Sequence, residues 1–383
     1  MKILHFADLH LGRGLYGQAL IEDQSYVLDQ LVTLAREAGP DVILIAGDVY
    51  DRAVPPAEAV ALLDDALSRL LIDCHVPVVL IPGNHDSPER LTFGARLLKA
   101  GNLYLFKNFT PNNIVTIADA HGPVDIYSIP YAEPPMARQE LDCQAVVDHN
   151  SAVQEVVRRI REVKVAGRRS VLLAHAFVAG GEATESERPL VVGGAGAVEP
   201  VGLAGFDYVA LGHLHRAQSA GQDNIQYSGS ILAYSFAEAD HVKSVNLVEI
   251  GPWGDCKVER VQLRPRHAVR CVTGLFDDLR KGSAAADAVD DYLMVTLEDH
   301  GPVLDAMGQL RQVYPNLLHV QRALPVVSGE AATARLDHRR TAADQLFSSF
   351  FRQVTGEDLS EAEVAAFADV YQHCQNETRE AAL

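Results

Sequence analysis

The sequence is poor in cysteine and has no paired cysteines. Cys74, Cys143, Cys256, Cys271 and Cys374 are scattered through 383 residues with no CxxC spacing. That excludes a cysteine metal site, and an odd set of lone thiols fits a reducing cytoplasm. No apolar run approaches the ~18–20 residues that span a bilayer, and the opening MKILHFADLH meets Asp8 and His10 before any leader-like stretch. A cytoplasmic protein without membrane contact is expected. Positive charge is scarce: Lys+Arg 33 against Asp+Glu 51 leaves a net charge of −18. This argues against coating nucleic acid by bulk charge, though not against binding at a local cation-bearing site. There is no GxxxxGK[ST], so no P-loop for ATP. There is no GxSxG around Ser228-Gly229-Ser230, which argues against serine hydrolysis. With 48% hydrophobic and 22% charged residues the chain is a folded one, and its length predicts two domains or three.

What is present is one repeated phrase: a short β-branched apolar run, then a polar residue of the metal-ligand type. Ile3–Ala7 leads to Asp8 and His10, and Val42–Ala46 to Gly47 and Asp48. Val78–Ile81 leads to Gly83, Asn84 and His85, Val171–Ala174 to His175, and Tyr208–Leu211 to His213 and His215. Such runs predict strands buried on both faces. Between the first three, Gln24–Glu37 and Ala57–Ile72 read as helices, the second opened by Pro55-Pro56. This is βαβ order, which predicts a mainly parallel sheet with its ligand site beyond the carboxyl ends of the strands. The stretch Ala179–Pro200, rich in Gly and charge, reads as a long loop beside that site.

The residue types state a chemistry. Carboxylates, imidazoles and one amide suit Mn²⁺, Fe²⁺ or Zn²⁺. Asp8, His10, Asp48, Asn84, His175, His213 and His215 are too many ligands for one ion but suit two ions with a bridge, and Asp48 is the natural bridge. In Asp8-x-His10 and His213-x-His215, alternate residues of an extended segment would point to the same side. Two divalent ions and two carboxylates leave about +2, enough to neutralise a phosphodiester and a hydroxide. Metal-dependent phosphoester hydrolysis follows. His85 is the best non-ligand catalytic candidate, to protonate the leaving oxygen or stabilise the charged transition state. Asp51 could orient it through its carboxylate, or could be an ordinary turn residue. Arg13, Arg52, Arg90 and Arg216 flank the motifs and are candidate contacts to backbone phosphate.

The ordered set DLH, GD, GNHD, H and GHLH resembles the calcineurin-like metallophosphoesterase superfamily. More narrowly, GDVYDRAVPP, IPGNHDSPERL, HAFVAGGEATESERPLVVGG, FDYVALGHLHRAQ and IQYSGSILAYSFAE look like the SbcD type of bacterial nuclease subunit. The resemblance implies an α/β fold: a sandwich of two β-sheets flanked by helices, with a small α/β cap domain and C-terminal helices. It implies one metal held by Asp8, His10, Asp48 and His215 and another by Asp48, Asn84, His175 and His213, with His85 as catalytic histidine. It further implies two Mn²⁺ ions, DNA as substrate, and double-strand exonuclease with single-strand endonuclease activity in repair and recombination. The implied partners are a second copy of the chain and an SbcC-like, SMC-type ATPase docked on the C-terminal helices. Helices near Ala57–Ile72 and Pro88–Leu98 are candidates for the homodimer contact. Two competing readings are a stand-alone phosphoesterase on small molecules or phosphoproteins, and a non-catalytic DNA-end scaffold.

The expected division is 1–265 for the nuclease domain, 266–328 for the cap and 335–383 for the terminal helices. In the cap, Tyr292–Leu297 and His319–Ala323 read as strands around a helix near Val303–Val313. At the end of the chain Phe347, Phe350, Phe351 and Val354 form one apolar helical stripe, closed by Gly356. Ser360-Glu361-Ala362-Glu363 is a capping box opening another helix.

Overall fold

The computed structural model describes residues 1–184, 186–187, 196–282, 289–299, 301, 303–323 and scattered positions between 347 and 370. Two compact units result, Met1–Ala323 and Leu324–Leu383.

In the first unit two six-stranded sheets form a sandwich. One has the order Cys256–Gln262, Ser244–Ile250, Lys2–Phe6, Val42–Ala46, Val78–Ile81, Leu103–Leu105. The other runs Gln218–Ala220, Gln222–Tyr227, Tyr208–Gly212, Arg169–His175, Gly122–Ile129, Ile114–Asp119. Lys2–Phe6, Val42–Ala46 and Val78–Ile81 pair in parallel, as do Gly122–Ile129, Arg169–His175 and Tyr208–Gly212. Antiparallel hairpins finish three of the four margins, and Leu103–Leu105, parallel to Val78–Ile81, finishes the fourth. The strands look uniformly apolar because each feeds two cores. Val42, Leu44 and Ala46 face the other sheet together with Val171, Leu173 and Ala210. Ile43 and Ile45 instead pack under Val27, Leu31 and Ala35 of the helix Ile21–Ala38. Leu172, Val209 and Leu211 pack under Val153, Val156 and Ile160 of the helix His149–Val163. That period-two division is what a buried strand with no solvent face requires.

The sheets approach closely at their carboxyl ends, and glycine makes this possible. A Cβ on Gly212 would lie 1.9 Å from the Ala46 carbonyl oxygen and 3.0 Å from Ala7 Cβ. One on Gly47, whose φ is +89°, would lie 2.4 Å from His175 Nδ1. Gly212→Ala should therefore cost roughly 3 kcal/mol or more, the scale of severe core overpacking. Denaturant midpoints check this, and a variant as stable as the parent would show that the two sheets do not approach so closely.

Midway between the sheets lies one polar cluster. His5 Nδ1 is 2.8 Å from Tyr208 Oη and His5 Nε2 is 3.2 Å from the Leu211 carbonyl oxygen. Burial holds the His5 pKa down at about 3, against the opposing pull of the Leu211 carbonyl. Below about pH 6.5 the unfolded chain protonates here while the folded one stays neutral. The contribution is therefore whole above pH 6.5 and shrinks as pH falls towards 3, by roughly 1.4 kcal/mol per unit. Urea unfolding at pH 7 and pH 5 should show His5→Asn losing about 2 kcal/mol less than the parent across that interval. Equal losses would remove His5 as the source.

A small parallel sheet of Val269–Gly274, Tyr292–Leu297 and Leu317–Arg322 belongs to the same unit. Helices Phe276–Arg280 and Ala306–Arg311 contribute to its separate core with Val295, Tyr314 and Leu317. It rests on the sandwich through Asp23, which accepts from Tyr292 Oη at 2.9 Å and lies 2.8 Å from His267 Nδ1. In the second unit Phe347 stacks on Phe367 at 4.0 Å, and Gly356 takes φ +79°. The capping box is formed: Ser360 N donates to Glu363 Oε2 at 2.8 Å and Glu363 N to Ser360 Oγ at 3.4 Å. Phe350 and Val354 lie outside the described residues, as does Cys374. Cys74, Cys143, Cys256 and Cys271 are free thiols. Among the described residues no helix is long and apolar enough to cross a membrane.

Candidate metal centre

All five expected strand ends converge. Lys2–Phe6 delivers Asp8 and His10, Val42–Ala46 delivers Asp48, and Val78–Ile81 delivers Asn84 and His85. From the facing sheet, Arg169–His175 ends on His175 and Tyr208–Gly212 leads into His213 and His215. Asp8, His10, Asp48, His85, His175, His213 and His215 are all buried. The expectation that Asp8-x-His10 and His213-x-His215 are extended is corrected. Asp8, His10, Asp48 and His213 take φ of +53°, +43°, +48° and +115°. The chain leaves three of these strands, Lys2–Phe6, Val42–Ala46 and Tyr208–Gly212, through kinks at positive-φ residues, a strained conformation found where a site over-determines the backbone. Asp8 N bonded to the Gly47 carbonyl at 3.0 Å and His10 N to that of Asp48 at 3.0 Å hold two of these kinks together.

Asp48 sits at the middle. Its Oδ2 lies 3.7 Å from His10 Nε2 and 3.6 Å from His175 Nε2, while Oδ1 accepts from His85 N at 2.8 Å. On one side His10 Nε2 and His215 Nε2 are 3.0 Å apart. On the other, Asn84 Oδ1 is 2.9 Å from His175 Nε2 and 3.2 Å from His213 Nδ1. Both Asp8 oxygens accept from His213 N, at 3.0 and 3.1 Å. Donor atoms of Asp8, His10 and Asp48 lie within 4.8 Å of one another, as do those of Asp48, His175 and His213.

The set fits divalent cations. His10 Nδ1 is buried with no hydrogen-bond partner. His175 Nδ1 lies 2.8 Å from the Ala46 carbonyl, which can only accept, so the proton is on Nδ1. Nε2 then turns a bare lone pair to the Asn84 oxygen, and two acceptors that close repel unless a cation lies between them. Burial, and then the Asp48 charge, hold the Asp8 carboxyl well above the ordinary range, against the His213 N–H. Burial holds His10 and His213 well below theirs, with neighbouring imidazoles adding to it. A bound cation would reverse the first tendency, by favouring the carboxylate, and reinforce the second, because an imidazole ligand is neutral.

His85 Nδ1 lies 2.7 Å from the main-chain oxygen of Asp51. The Asp51 carboxylate, expected to orient this ring, instead lies 3.7 Å from Arg13 Nε and 3.8 Å from His10 Nδ1. The carbonyl can only accept, so the His85 proton is on Nδ1 and Nε2 carries the lone pair.

A profile of the calcineurin-like phosphoesterases matches residues 1–217. The chain belongs to that family. A second profile, the type 5 capsule protein repressor C-terminal domain of SbcD chains, matches residues 265–355, and the pair supports an SbcD-type subunit. Among solved structures, a protein of Thermus thermophilus matches at 14% identity and TM-score 0.39, covering 68% of this chain and 98% of that one. A dimetal phosphatase from Danio rerio matches at 13% identity and TM-score 0.38, covering 69% and 99%.

In this calcineurin-like centre several supporting residues are ordinary polar residues in sequence, and only the fold brings them to the site. Gln24 Nε2 donates to the His10 carbonyl at 2.8 Å, and its Oε1 accepts from Gly12 N at 3.0 Å. Tyr234 Oη donates to the Leu9 carbonyl. Glu187 Oε1 accepts from His215 N at 2.8 Å, so part of the expected site-flanking loop does reach the centre. Asp86, the last residue of GNHD, latches three backbone amides, Val49, Tyr50 and Gly83, at 2.9 to 3.0 Å. Burial and the Asp48 charge push it up to about 7 against those N–H groups. Of the four arginines, Arg52 and Arg90 are exposed. Arg13 lies over the Tyr234 ring at 5.4 Å and donates to the Ser186 carbonyl at 3.2 Å. Arg216 is engaged by His241, Glu182 and Asp240 at 3.1 to 3.4 Å.

Proposed function

We propose that the protein is the Mn²⁺-dependent nuclease subunit of a DNA-processing complex, hydrolysing phosphodiesters at DNA ends and hairpins. The observation that carries this reading is Asp48 Oδ2, placed almost evenly between His10 Nε2 and His175 Nε2 at 3.7 and 3.6 Å. One carboxylate between two imidazole groups is the arrangement of a bridged pair. Asp8, His10, Asp48 and His215 would hold one cation, and Asp48, Asn84, His175 and His213 the other. Two divalent ions, when bound, would neutralise phosphate charge and supply a nucleophilic oxygen at neutral pH. The residues do the rest. The Asp51 carbonyl holds His85 so that Nε2 can deliver a proton to the leaving oxygen. The left-handed kinks fix the donor atoms before substrate arrives, so little reorganisation is left for the reaction.

DNA, rather than a small ester, is supported by the SbcD-type second match and by the extra α/β sheet, neither of which a small substrate needs. Arg52 and Arg90 are the remaining exposed candidates for phosphate contact. The helical residues of the second unit, with Phe347 stacked on Phe367, are proposed to dock an SbcC-like ATPase. The exposed Phe93 and Leu97 mark the proposed homodimer face, and the compartment is the cytoplasm. The proposed division remains 1–265, 266–328 and 335–383.

The test is purified protein with Mn²⁺, given duplex and hairpin DNA with and without the ATPase, beside phosphomonoester and phosphodiester dyes. Strand cleavage is expected. Activity confined to the monoester would replace this reading with a stand-alone phosphoesterase. A folded, Mn²⁺-loaded protein that cuts nothing would replace it with a DNA-end scaffold.

A further inference from the structure

Of the imidazoles in the centre, His215 is held differently from the rest. Its Nδ1 lies 2.9 Å from Glu238 Oε1, and a Ser186 hydroxyl stands 3.1 Å away. Glu238 closes a short 3-10 turn, Phe236–Glu238, and is fully buried. A carboxylate accepts and does not donate, so the ring proton is on Nδ1 and Nε2 presents its lone pair to the centre. The other Glu238 oxygen meets Lys243 Nζ, itself buried. The same ammonium donates to the His215 carbonyl at 3.0 Å and to Ser230 Oγ at 2.8 Å. One buried ion pair thus grips His215 at both ends: the ring through Glu238 and the main chain through Lys243.

The other rings have no such support among the described residues. His175 gives its Nδ1 proton to a neutral acceptor, the Ala46 carbonyl. His10 Nδ1 has no hydrogen-bond partner, and the Asp51 carboxylate stays 3.8 Å away. His213 Nδ1 faces Asn84. A carboxylate behind an imidazole fixes its tautomer and raises its basicity as a ligand more than a neutral carbonyl does, even with Lys243 offsetting part of the charge. Structure alone does not call for this pair. Burying a Lys and a Glu costs desolvation that apolar residues of similar size avoid, so a pair aimed at one ligand has a role beyond filling space.

We propose that Glu238 is a positioning residue that makes the two cation sites unequal, tightening the one built on His10 and His215. The inference rests on the two-cation reading above. The turn that carries Glu238 also touches the small sheet, where Cys271 Sγ donates to the Phe236 carbonyl at 3.5 Å. A shift of that sheet therefore has a short mechanical route to one cation and none as direct to the other.

The experiment is calorimetric titration of Mn²⁺ into chelator-stripped full-length protein, for the parent, Glu238→Gln, and Glu238→Gln/Lys243→Met. The double variant removes both buried charges and so leaves no uncompensated ammonium to unfold the chain. In both variants one ion should bind roughly 10–100-fold more weakly and the other as in the parent. Mn²⁺ electron-paramagnetic-resonance spectra at one equivalent should then change, because the ion first bound occupies a different ligand set. A residue with a merely structural role would weaken both ions together. Two ions bound with parental affinities, or two weakened alike, would overturn the inference while leaving the two-cation centre standing. A parent that fails to bind two ions would overturn both readings.

Discussion

His85→Ala should cut DNA strand cleavage by roughly two to four orders of magnitude, the usual range for losing a general acid, while two cations stay bound. The geometry separates the two effects. What His85 gives the proposed cation cradle is its main-chain N–H, which donates to Asp48 Oδ1 at 2.8 Å and survives the substitution. The imidazole is packed edge-on against His10 at 4.7 Å and tied by Nδ1 to the Asp51 carbonyl. Because a main-chain oxygen makes that tie, Asp51→Asn should cost far less than His85→Ala. One proximity points the other way: donor atoms of His10, Asp51 and His85 lie within 4.8 Å of one another and so offer a third cation cradle. Mn²⁺ titration distinguishes the cases. If His85→Ala binds one ion fewer than the parent, His85 is a ligand and the proton-donor role fails.

The strand ends were legible because burial on both faces leaves the runs apolar, His5 apart, so the polar residues after each mark the rim. Asp8, Asp48, His175 and His213 announce themselves in this way. The capping box at Ser360 and Glu363 was legible for another reason: its partners are three residues apart, and local chemistry decides it. The left-handed turns at Asp8 and His10 were not. Their amides are held by carbonyls some forty residues away, Gly47 and Asp48, which no local pattern announces. Glu238 and Lys243 look like surface charges in ILAYSFAEADHVKS, and only the long-range packing that buries them reveals an ion pair. Ser244–Ile250, an inner strand between Lys2–Phe6 and Cys256–Gln262, was missed because Ser244, Asn246 and Glu249 break its apolar run. In the small sheet, Val269–Gly274 alternates apolar with Arg270, Cys271 and Thr273, a weak signal beside the solid run Tyr292–Leu297.

Asp48→Asn should abolish the paired centre, and its signature should be opposite with and without metal. The amide keeps the shape and can still accept from His85 N, so the kink at φ +48° has no new reason to open. What disappears is the charge lying between His10 Nε2 and His175 Nε2. Both cations lose it together, so Mn²⁺ stoichiometry should fall from two to at most one weak site. Cation stabilisation of the reaction is of the order of several kcal/mol, and cleavage should fall by at least about three orders of magnitude. The Asp48 charge is also one of the causes that raise Asp8 and Asp86, after burial itself. In metal-free protein those carboxylates crowd one another, and removing one should leave thermal stability unchanged or raised. In excess Mn²⁺ the order should reverse, because the parent gains stability by mass action from ions that bind only the folded state. Melting curves with and without Mn²⁺ therefore suffice. An Asp48→Asn protein that melts below the parent when metal-free, or that gains as much from Mn²⁺ as the parent does, would mean Asp48 holds the fold and not the ions.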